Sequence, residues 1–223
     1  MKSKKGFKKQ KIKAVIFDIG GVLQLYKSPI VDEKKVYSGI HEYMAEQFKK
    51  DIDSWFDSID VAYTKSMSGM IDGREAVNII ANNLKTNTRN INSLFKKAYR
   101  RVFGKNKELY KIAYGLKKRG YIIGILSDQW HLSKLILIPK KDIKHFDVAI
   151  VSCDVKLRKP DVKIYRFLMK ELRRINKSLK TSEVLFIDNR EWNLKPARKM
   201  RMKVILFKDN EQCLKDMKRL GIL

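Results

Sequence analysis

The chain has 223 residues, of which 44% are hydrophobic and 33% charged, and its formal net charge is +26. This length suits one domain with a modest insertion, and the composition is that of a globular protein with a buried core. Two cysteines are too few for a disulfide scaffold, so a reducing, cytoplasmic compartment is expected. No stretch approaches the roughly 18 apolar residues of a membrane span, so no membrane association is expected.

The positive charge is spread along most of the chain, with 50 Lys and Arg against 24 Asp and Glu. Its densest run lies in residues 1–12, which are predicted to form a flexible basic tail. No apolar run follows before the first strand, which argues against a signal peptide. A strong positive field attracts anionic partners, but solvated surface lysines explain it equally well. A specific nucleic-acid target is therefore not expected, and the oligomeric state is left open.

Residues 13–23, KAVIFDIGGVL, open the fold with a short apolar run that ends at Asp18 and is followed by two glycines. Such a run predicts a buried strand of a parallel sheet. Ligands of these sheets bind outside the carboxyl ends of the strands, where Asp18 falls. An isolated aspartate in this position is more often a turn former or a helix cap. Asp18 therefore needs partners elsewhere in the chain before it counts as a site residue.

Residues 24–105 have the pattern of helices. Apolar side chains between Phe56 and Met67 recur at spacings of three and four, and Asp51 and Asp72 stand where helix N-caps belong. Nothing in this block alternates like a strand. We therefore predict a purely helical cap, inserted directly after the first strand.

From residue 106 onward, apolar runs alternate with helical segments. Further strands are predicted at residues 121–126, 147–151, 184–187 and 204–207. Strands that alternate with helices predict right-handed crossovers and an α/β fold, a Rossmann-like parallel sheet with helices on both faces. The core is assigned to residues 13–23 and 106–223, and the cap to residues 24–105.

Two of these later strands also end in polar residues, Ser127 and Asp188. The carboxyl ends of parallel strands converge on one edge, so both are expected near Asp18. Lys159 lies in a loop just before Pro160 and a helix. Two carboxylates suit Mg²⁺, which prefers hard oxygen ligands, while a hydroxyl and an ammonium suit phosphate oxygens.

Four segments in this order resemble the motifs of the haloacid dehalogenase (HAD) superfamily. They are FDIGGVL at 17–23, ILSD at 125–128, LRKPD at 157–161 and LFIDN at 185–189. The chain looks like a capped phosphatase of this superfamily, similar to the branch whose first motif reads F-D-[IL]-G-[GN]-V. The resemblance covers the chain from residue 13 to its end.

The resemblance implies a catalytic role for Asp18, which would attack a phosphate monoester and form a phosphoaspartyl intermediate. Mg²⁺ would be held by Asp18, by the main-chain carbonyl of Gly20 and by Asp188, with Asn189 acting through a water molecule. Because an amide is a weaker ligand than a carboxylate, loose binding of Mg²⁺ is expected.

The resemblance also implies that the phosphoryl group is bound by Ser127, Asp128 and Lys159, with Ser127 and Lys159 acting in catalysis. Trp130 and His131 follow the second motif and are candidates for the substrate pocket. For Trp130, burial as a structural residue is the stronger expectation.

One departure from the family pattern concerns catalysis. Relatives usually carry a second aspartate two residues after the nucleophile, as general acid and base, and here that position is Gly20. General acid–base catalysis contributes roughly 10²–10⁴-fold. A good leaving group, such as an anomeric oxygen, needs less of this help.

The sequence thus predicts a Mg²⁺-dependent phosphomonoester hydrolase acting on a small metabolite, such as a sugar phosphate or a nucleotide. One alternative is a catalytically weakened HAD scaffold that binds phosphorylated ligands or nucleic acid, motivated by Gly20, Asn189 and the net charge. Another is a 2-haloacid dehalogenase, which also uses an aspartate nucleophile. That reaction needs no metal, so Asp188 argues against it.

Overall fold

The computed structural model describes residues 11–27, 30–32, 35–37 and 39–223. The tail predicted for residues 1–12 therefore lies outside the described residues, except at its last two positions. Ile12 is only 3% exposed and packs in the core, because it lies directly ahead of the first strand. The folded unit thus begins earlier than residue 13.

The described residues form nine strands. In chain order these are β1 (Ala14–Phe17), β2 (Gln24–Tyr26), β3 (Ile30–Asp32), β4 (Lys35–Tyr37), β5 (Phe103–Lys105), β6 (Ile122–Ser127), β7 (Val148–Val151), β8 (Val184–Asp188) and β9 (Lys203–Leu206).

The same residues form eleven α-helices. They are α1 (Ile40–Gln47), α2 (Ile52–Met67), α3 (Gly73–Asn83), α4 (Thr88–Val102), α5 (Lys107–Lys118), α6 (His131–Leu137), α7 (Lys140–Ile143), α8 (Ser152–Val155), α9 (Val162–Ile175), α10 (Glu191–Lys199) and α11 (Asn210–Arg219). None of these helices is long and apolar enough to cross a membrane.

Five strands make one parallel sheet in the order β7-β6-β1-β8-β9. β1 and β8 are buried along their whole length. Two apolar clusters form on the two sides of these strands, because alternate side chains point to opposite faces of a sheet. The predicted α/β fold is confirmed.

The helix starts follow the capping chemistry expected from the sequence. The Asp51 side chain accepts a hydrogen bond from the backbone N–H of Ser54, and Asp72 does the same for Glu75. Each cap satisfies a donor that the first helical turn leaves without a partner. The two N-caps predicted for the cap helices are confirmed.

The prediction that residues 24–105 are purely helical is wrong at both ends of the block. β2 pairs antiparallel with β5, from Gln24 opposite Lys105 to Tyr26 opposite Phe103, and β3 pairs with β4. Each of these strands has three residues, too few to show an alternating pattern. The β2–β5 pair joins the two places where the chain passes between the sheet and the helices α1–α4.

Asn106 lies directly after this strand pair and ties it to the loop that follows β1. Its backbone N–H donates to the Leu23 carbonyl at 2.9 Å, and its side-chain amide donates to the Val22 carbonyl at 2.9 Å. It also caps α5 and exchanges hydrogen bonds with Asn210. The side chain is buried. If it were removed, its partners would be left without hydrogen bonds in a place that water does not reach.

Replacing Asn106 should therefore cost more stability than replacing an exposed N-cap. We expect Asn106→Ala to lose about 2–3 kcal/mol, because buried carbonyls are left unsatisfied. The matched control is Asn87→Ala, which removes the exposed cap of α4 and should cost about 1 kcal/mol. Urea unfolding measures both; equal losses would contradict the connecting role of Asn106.

Candidate active site

The sheet order brings three polar side chains to one edge. β1 lies between β6 and β8, so Asp18, which follows β1, has the end residues of its two neighbours, Ser127 and Asp188, beside it. The backbone N–H of Asp18 donates to the Ile187 carbonyl at 2.9 Å. This bond extends the pairing of β1 with β8 as far as Asp18. All three side chains are buried.

Lys159 joins the two carboxylates. Its ammonium lies 3.1 Å from Asp18 Oδ1 and 2.7 Å from Asp188 Oδ2, and its side chain is buried. Burial acts to lower the pKa of this ammonium, but the charges of Asp18 and Asp188 outweigh it and raise the pKa. Lys159 is therefore a cation at neutral pH.

Asp18 has an unusual titration. The pKa of its carboxyl group is raised to about 6, chiefly by burial; the charge of Asp188 adds to this rise and that of Lys159 opposes it. A hydrogen bond with Ser127 favours the ionised form. At neutral pH Asp18 is therefore mainly a carboxylate, in an environment that opposes its charge.

Asp188 is oriented by several donors. The Arg190 backbone N–H donates to Oδ1 at 2.8 Å, and the Asn193 amide donates to Oδ2 at 3.0 Å. Tyr165 in turn donates to the Asn193 carbonyl at 2.6 Å. Asn193 thus fixes the carboxylate of Asp188, a positioning role that the sequence did not assign.

The oxygen atoms at this edge fit Mg²⁺. Besides the two carboxylates, Asn189 presents a buried side-chain oxygen with no hydrogen-bond partner among the described residues. The Asn189 side chain packs so closely on Gly21 that a Cβ there would lie 2.2 Å from its amide nitrogen. Gly20 lines the cavity in front of Asp18. A set of hard oxygen atoms with two carboxylates is the kind that Mg²⁺ prefers.

Asp128 and Ser127 shape the neighbouring loop. Asp128 Oδ1 accepts the backbone N–H of Lys159 at 3.0 Å, which holds the lysine loop against the end of β6. Gln129 donates to the Ser127 hydroxyl at 3.1 Å. Asp128 lines the cavity, and Ser127 is buried beside Asp18.

The two remaining candidates for the substrate pocket, Trp130 and His131, have different surroundings. Trp130 lines the cavity wall and is buried, with its indole N–H donating to the Tyr99 hydroxyl at 2.8 Å. His131 does not line the cavity. Its Nδ1 lies 2.9 Å from the Ser66 hydroxyl of α2, so it contributes to packing between the core and the cap helices.

The cavity has a volume of about 490 Å³ and lies between the sheet edge and the cap helices. Sequence reasoning missed several of its lining residues: His41, Tyr63, Arg158, Arg190 and Trp192. Arg158, Arg190 and Trp192 lie beside the third and fourth motifs, so proximity to those motifs was a usable signal. His41 and Tyr63 come from cap helices, whose orientation no local pattern gives.

The fold is a parallel sheet covered by helices, with further helices inserted after the first strand. Two carboxylates and a lysine lie together at the carboxyl edge of this sheet. The chain belongs to the haloacid dehalogenase-like hydrolase family, whose model matches residues 12–201. The particular branch suggested by the first motif stays a prediction.

Among known proteins, the chain is similar to bifunctional epoxide hydrolase 2 of Rattus norvegicus, with 34% identity over 123 residues, which are 51% of this chain and 21% of that protein. It is also similar to acyl-CoA dehydrogenase family member 10 of Mus musculus, with 30% identity over 105 residues, or 47% of this chain and 9% of that protein. The chain thus spans about a fifth or less of the length of these relatives.

Solved structures agree in fold. A HAD family enzyme from Bacteroides thetaiotaomicron has a TM-score of 0.69 at 18% identity, covering 92% of this chain and 98% of that chain. The same enzyme in complex with magnesium and inorganic phosphate has a TM-score of 0.67. L-2-haloacid dehalogenase from Xanthobacter autotrophicus has a TM-score of 0.50 at 14% identity, covering 95% of this chain and 84% of that chain. Likeness at such identities shows the fold alone.

The raised pKa of Asp18 has a consequence for stability. With a pKa of about 6 in the fold and about 3.9 unfolded, the native state binds more protons between these values, so this group's contribution to stability falls as pH rises through that window. Metal-free Asp18→Asn should be more stable than wild type above pH 6, by up to about 3 kcal/mol. The difference should vanish near pH 4.

Urea unfolding in EDTA at several pH values measures this difference. The control is Asp53→Asn on the exposed surface of α2, which should show no such pH dependence. A wild-type protein more stable than Asp18→Asn at pH 7 would contradict the prediction.

Proposed function

We propose that this protein is a Mg²⁺-dependent phosphomonoester hydrolase. Its substrate would be a small phosphorylated metabolite, a sugar phosphate or a nucleotide. The observation that carries the proposal is the buried Lys159 ammonium between the carboxylates of Asp18 and Asp188. Two buried free thiols, Cys153 and Cys213, suit a cytoplasmic location.

The chemistry assigned to the chain begins at Asp18. Its carboxylate oxygen forms a bond to phosphorus while the bond from phosphorus to the ester oxygen breaks, leaving a phosphoaspartyl group and an alkoxide that takes a proton from solvent. Water then forms a bond to phosphorus while the bond from phosphorus to the Asp18 oxygen breaks, which restores the Asp18 carboxylate and releases phosphate, with the proton of the water passing to solvent. Lys159 keeps Asp18 ionised and, with Ser127, offsets charge on the phosphoryl oxygens. Mg²⁺ bound at Asp18 and Asp188 would neutralise further negative charge.

A dehalogenase is the second candidate within enzymes, because a dehalogenase is among the similar structures. Displacement of a halide from carbon calls for no metal. A second buried carboxylate and the unpartnered Asn189 oxygen have no evident task in that reaction. They favour the phosphatase.

The test is hydrolysis of p-nitrophenyl phosphate and of a panel of metabolite phosphates with Mg²⁺. Activity should be lost in EDTA and should fall at least about 10³-fold in Asp18→Asn, because the nucleophile is removed. Asp53→Asn should retain activity. Turnover that survives the loss of Asp18 would refute the mechanism.

A different outcome would favour the alternative that the protein binds phosphorylated ligands or nucleic acid without catalysis. No turnover of any ester, together with RNA or DNA binding that weakens steeply with salt, would support a catalytically weakened scaffold. Release of chloride from 2-chloropropionate without metal would support the dehalogenase.

Gly20 gives a sharper test of the catalytic proposal. A Cβ at Gly20 would meet nothing within 4 Å, and Gly20 is not among the glycines with positive φ. An aspartate should therefore fit, facing the cavity, and supply the missing proton donor. Alkyl phosphates, whose leaving group is poor, should gain about 10-fold or more in Gly20→Asp, and aryl phosphates little.

Gly20→Asn is the matched control, since it fills the same space without an acidic proton. Comparison of kcat for glucose 6-phosphate and p-nitrophenyl phosphate in the three proteins measures the effect. Equal gains for Gly20→Asn and Gly20→Asp would rule out proton donation as the cause.

A further inference from the structure

The cavity in front of Asp18 carries groups that hydrolysis of a phosphate does not itself require. Six aromatic side chains line it: Tyr26, Tyr63, Tyr99, Phe103, Trp130 and Trp192. Some of these rings contact one another: the centroids of Tyr26 and Phe103 are 4.7 Å apart, and those of Tyr63 and Trp130 are 5.1 Å apart. Aromatic rings thus form part of the cavity lining.

Two of these rings are open at the cavity. Tyr26 is 57% exposed and Trp192 is 54% exposed. Large aromatic side chains gain free energy when their faces are covered, and they stack well on other planar groups. Exposed rings beside a catalytic centre therefore favour a ligand with a flat ring.

Two arginines lie at the same cavity. Arg158 and Arg190 both line it, and neither forms an ion pair with a carboxylate of the described residues. The Arg190 guanidinium lies 5.3 Å from the Trp192 ring centre, so the two side chains form a cation–π pair. Both arginine charges oppose the rise in pKa that burial causes at Tyr63, which places them on the Tyr63 side of the cavity.

Guanidinium groups bind carboxylates and phosphates through paired hydrogen bonds. The transferring phosphoryl group already has Lys159 and Ser127. We propose that the substrate is a monophosphate ester of a planar ring that carries a second anionic group, with the ring beside Tyr63 and Trp192 and the second anion on Arg158 and Arg190. This inference rests on the proposed function, and it favours nucleotide-like esters over sugar phosphates.

Matched aryl phosphates test the second anion. In the wild type, 4-carboxyphenyl phosphate should be hydrolysed with a kcat/KM about 10-fold or more above that of phenyl phosphate, since each charged hydrogen bond contributes at this level. The advantage should fall to within about twofold in Arg190→Gln and in Arg158→Gln. Arg166→Gln, an exposed arginine of α9 outside the cavity, should leave it unchanged.

The planar ring is tested separately. Trp192→Leu should lower kcat/KM for both aryl phosphates while leaving that for glucose 6-phosphate within about twofold. A nucleoside monophosphate and the corresponding bisphosphate show whether a second phosphate replaces the carboxylate. Preference for glucose 6-phosphate over every aryl ester in the wild type would overturn the inference.

Binding separates this inference from the proposed function. Calorimetry with benzylphosphonate and 4-carboxybenzylphosphonate, in the presence of Mg²⁺, needs no turnover. Tighter binding of the carboxylated phosphonate, lost in Arg190→Gln, without hydrolysis of any ester would support the anion site and refute the phosphatase. Hydrolysis of both aryl esters with no effect of the carboxylate would refute the anion site and leave the phosphatase standing.

Discussion

The contact of Lys159 with Asp18 and Asp188 is the interaction on which the rest of the site depends. Two buried carboxylates at adjacent strand ends repel each other, and neither is well solvated. The ammonium between them makes their joint burial tolerable, at 3.1 and 2.7 Å. Removing the lysine would leave two buried carboxylates without a compensating charge, a loss that typically costs about 3–5 kcal/mol. The loop that carries the lysine is held in turn by Asp128, a side chain that also lines the cavity.

Much of this arrangement could be predicted from the sequence because its determinants are local. An apolar run that ends in Asp18, Ser127 or Asp188 marks a buried strand and its polar end. A parallel sheet then has to bring the three ends to one edge. The caps Asp51 and Asp72 are equally local, since each needs only the first turn of its own helix.

The parts that escaped prediction depend on contacts between distant residues. The strand at Gln24 forms because it pairs with residues some eighty positions later. A strand of three residues is too short to show an alternating pattern of apolar and polar side chains. His131 follows a motif yet lies beside Ser66 of α2, because helix α6 packs against the cap helices α3 and α4. His41 and Tyr63 line the cavity because of how the cap helices lie above the sheet edge, which no local pattern predicts.

Gly20 and the raised pKa of Asp18 belong to one physical balance. Burial makes the Asp18 carboxylate less stable than it would be in water, and in the proposed mechanism this would favour its attack on phosphorus. An acidic side chain at residue 20 would face the same cavity and, when ionised, would raise the pKa of Asp18 further through like-charge repulsion. A glycine avoids that repulsion and leaves the space open. In the proposed mechanism, Asp18 would thus be ionised near neutral pH without an internal proton donor at residue 20, and efficient turnover would be restricted to esters whose leaving group departs without one.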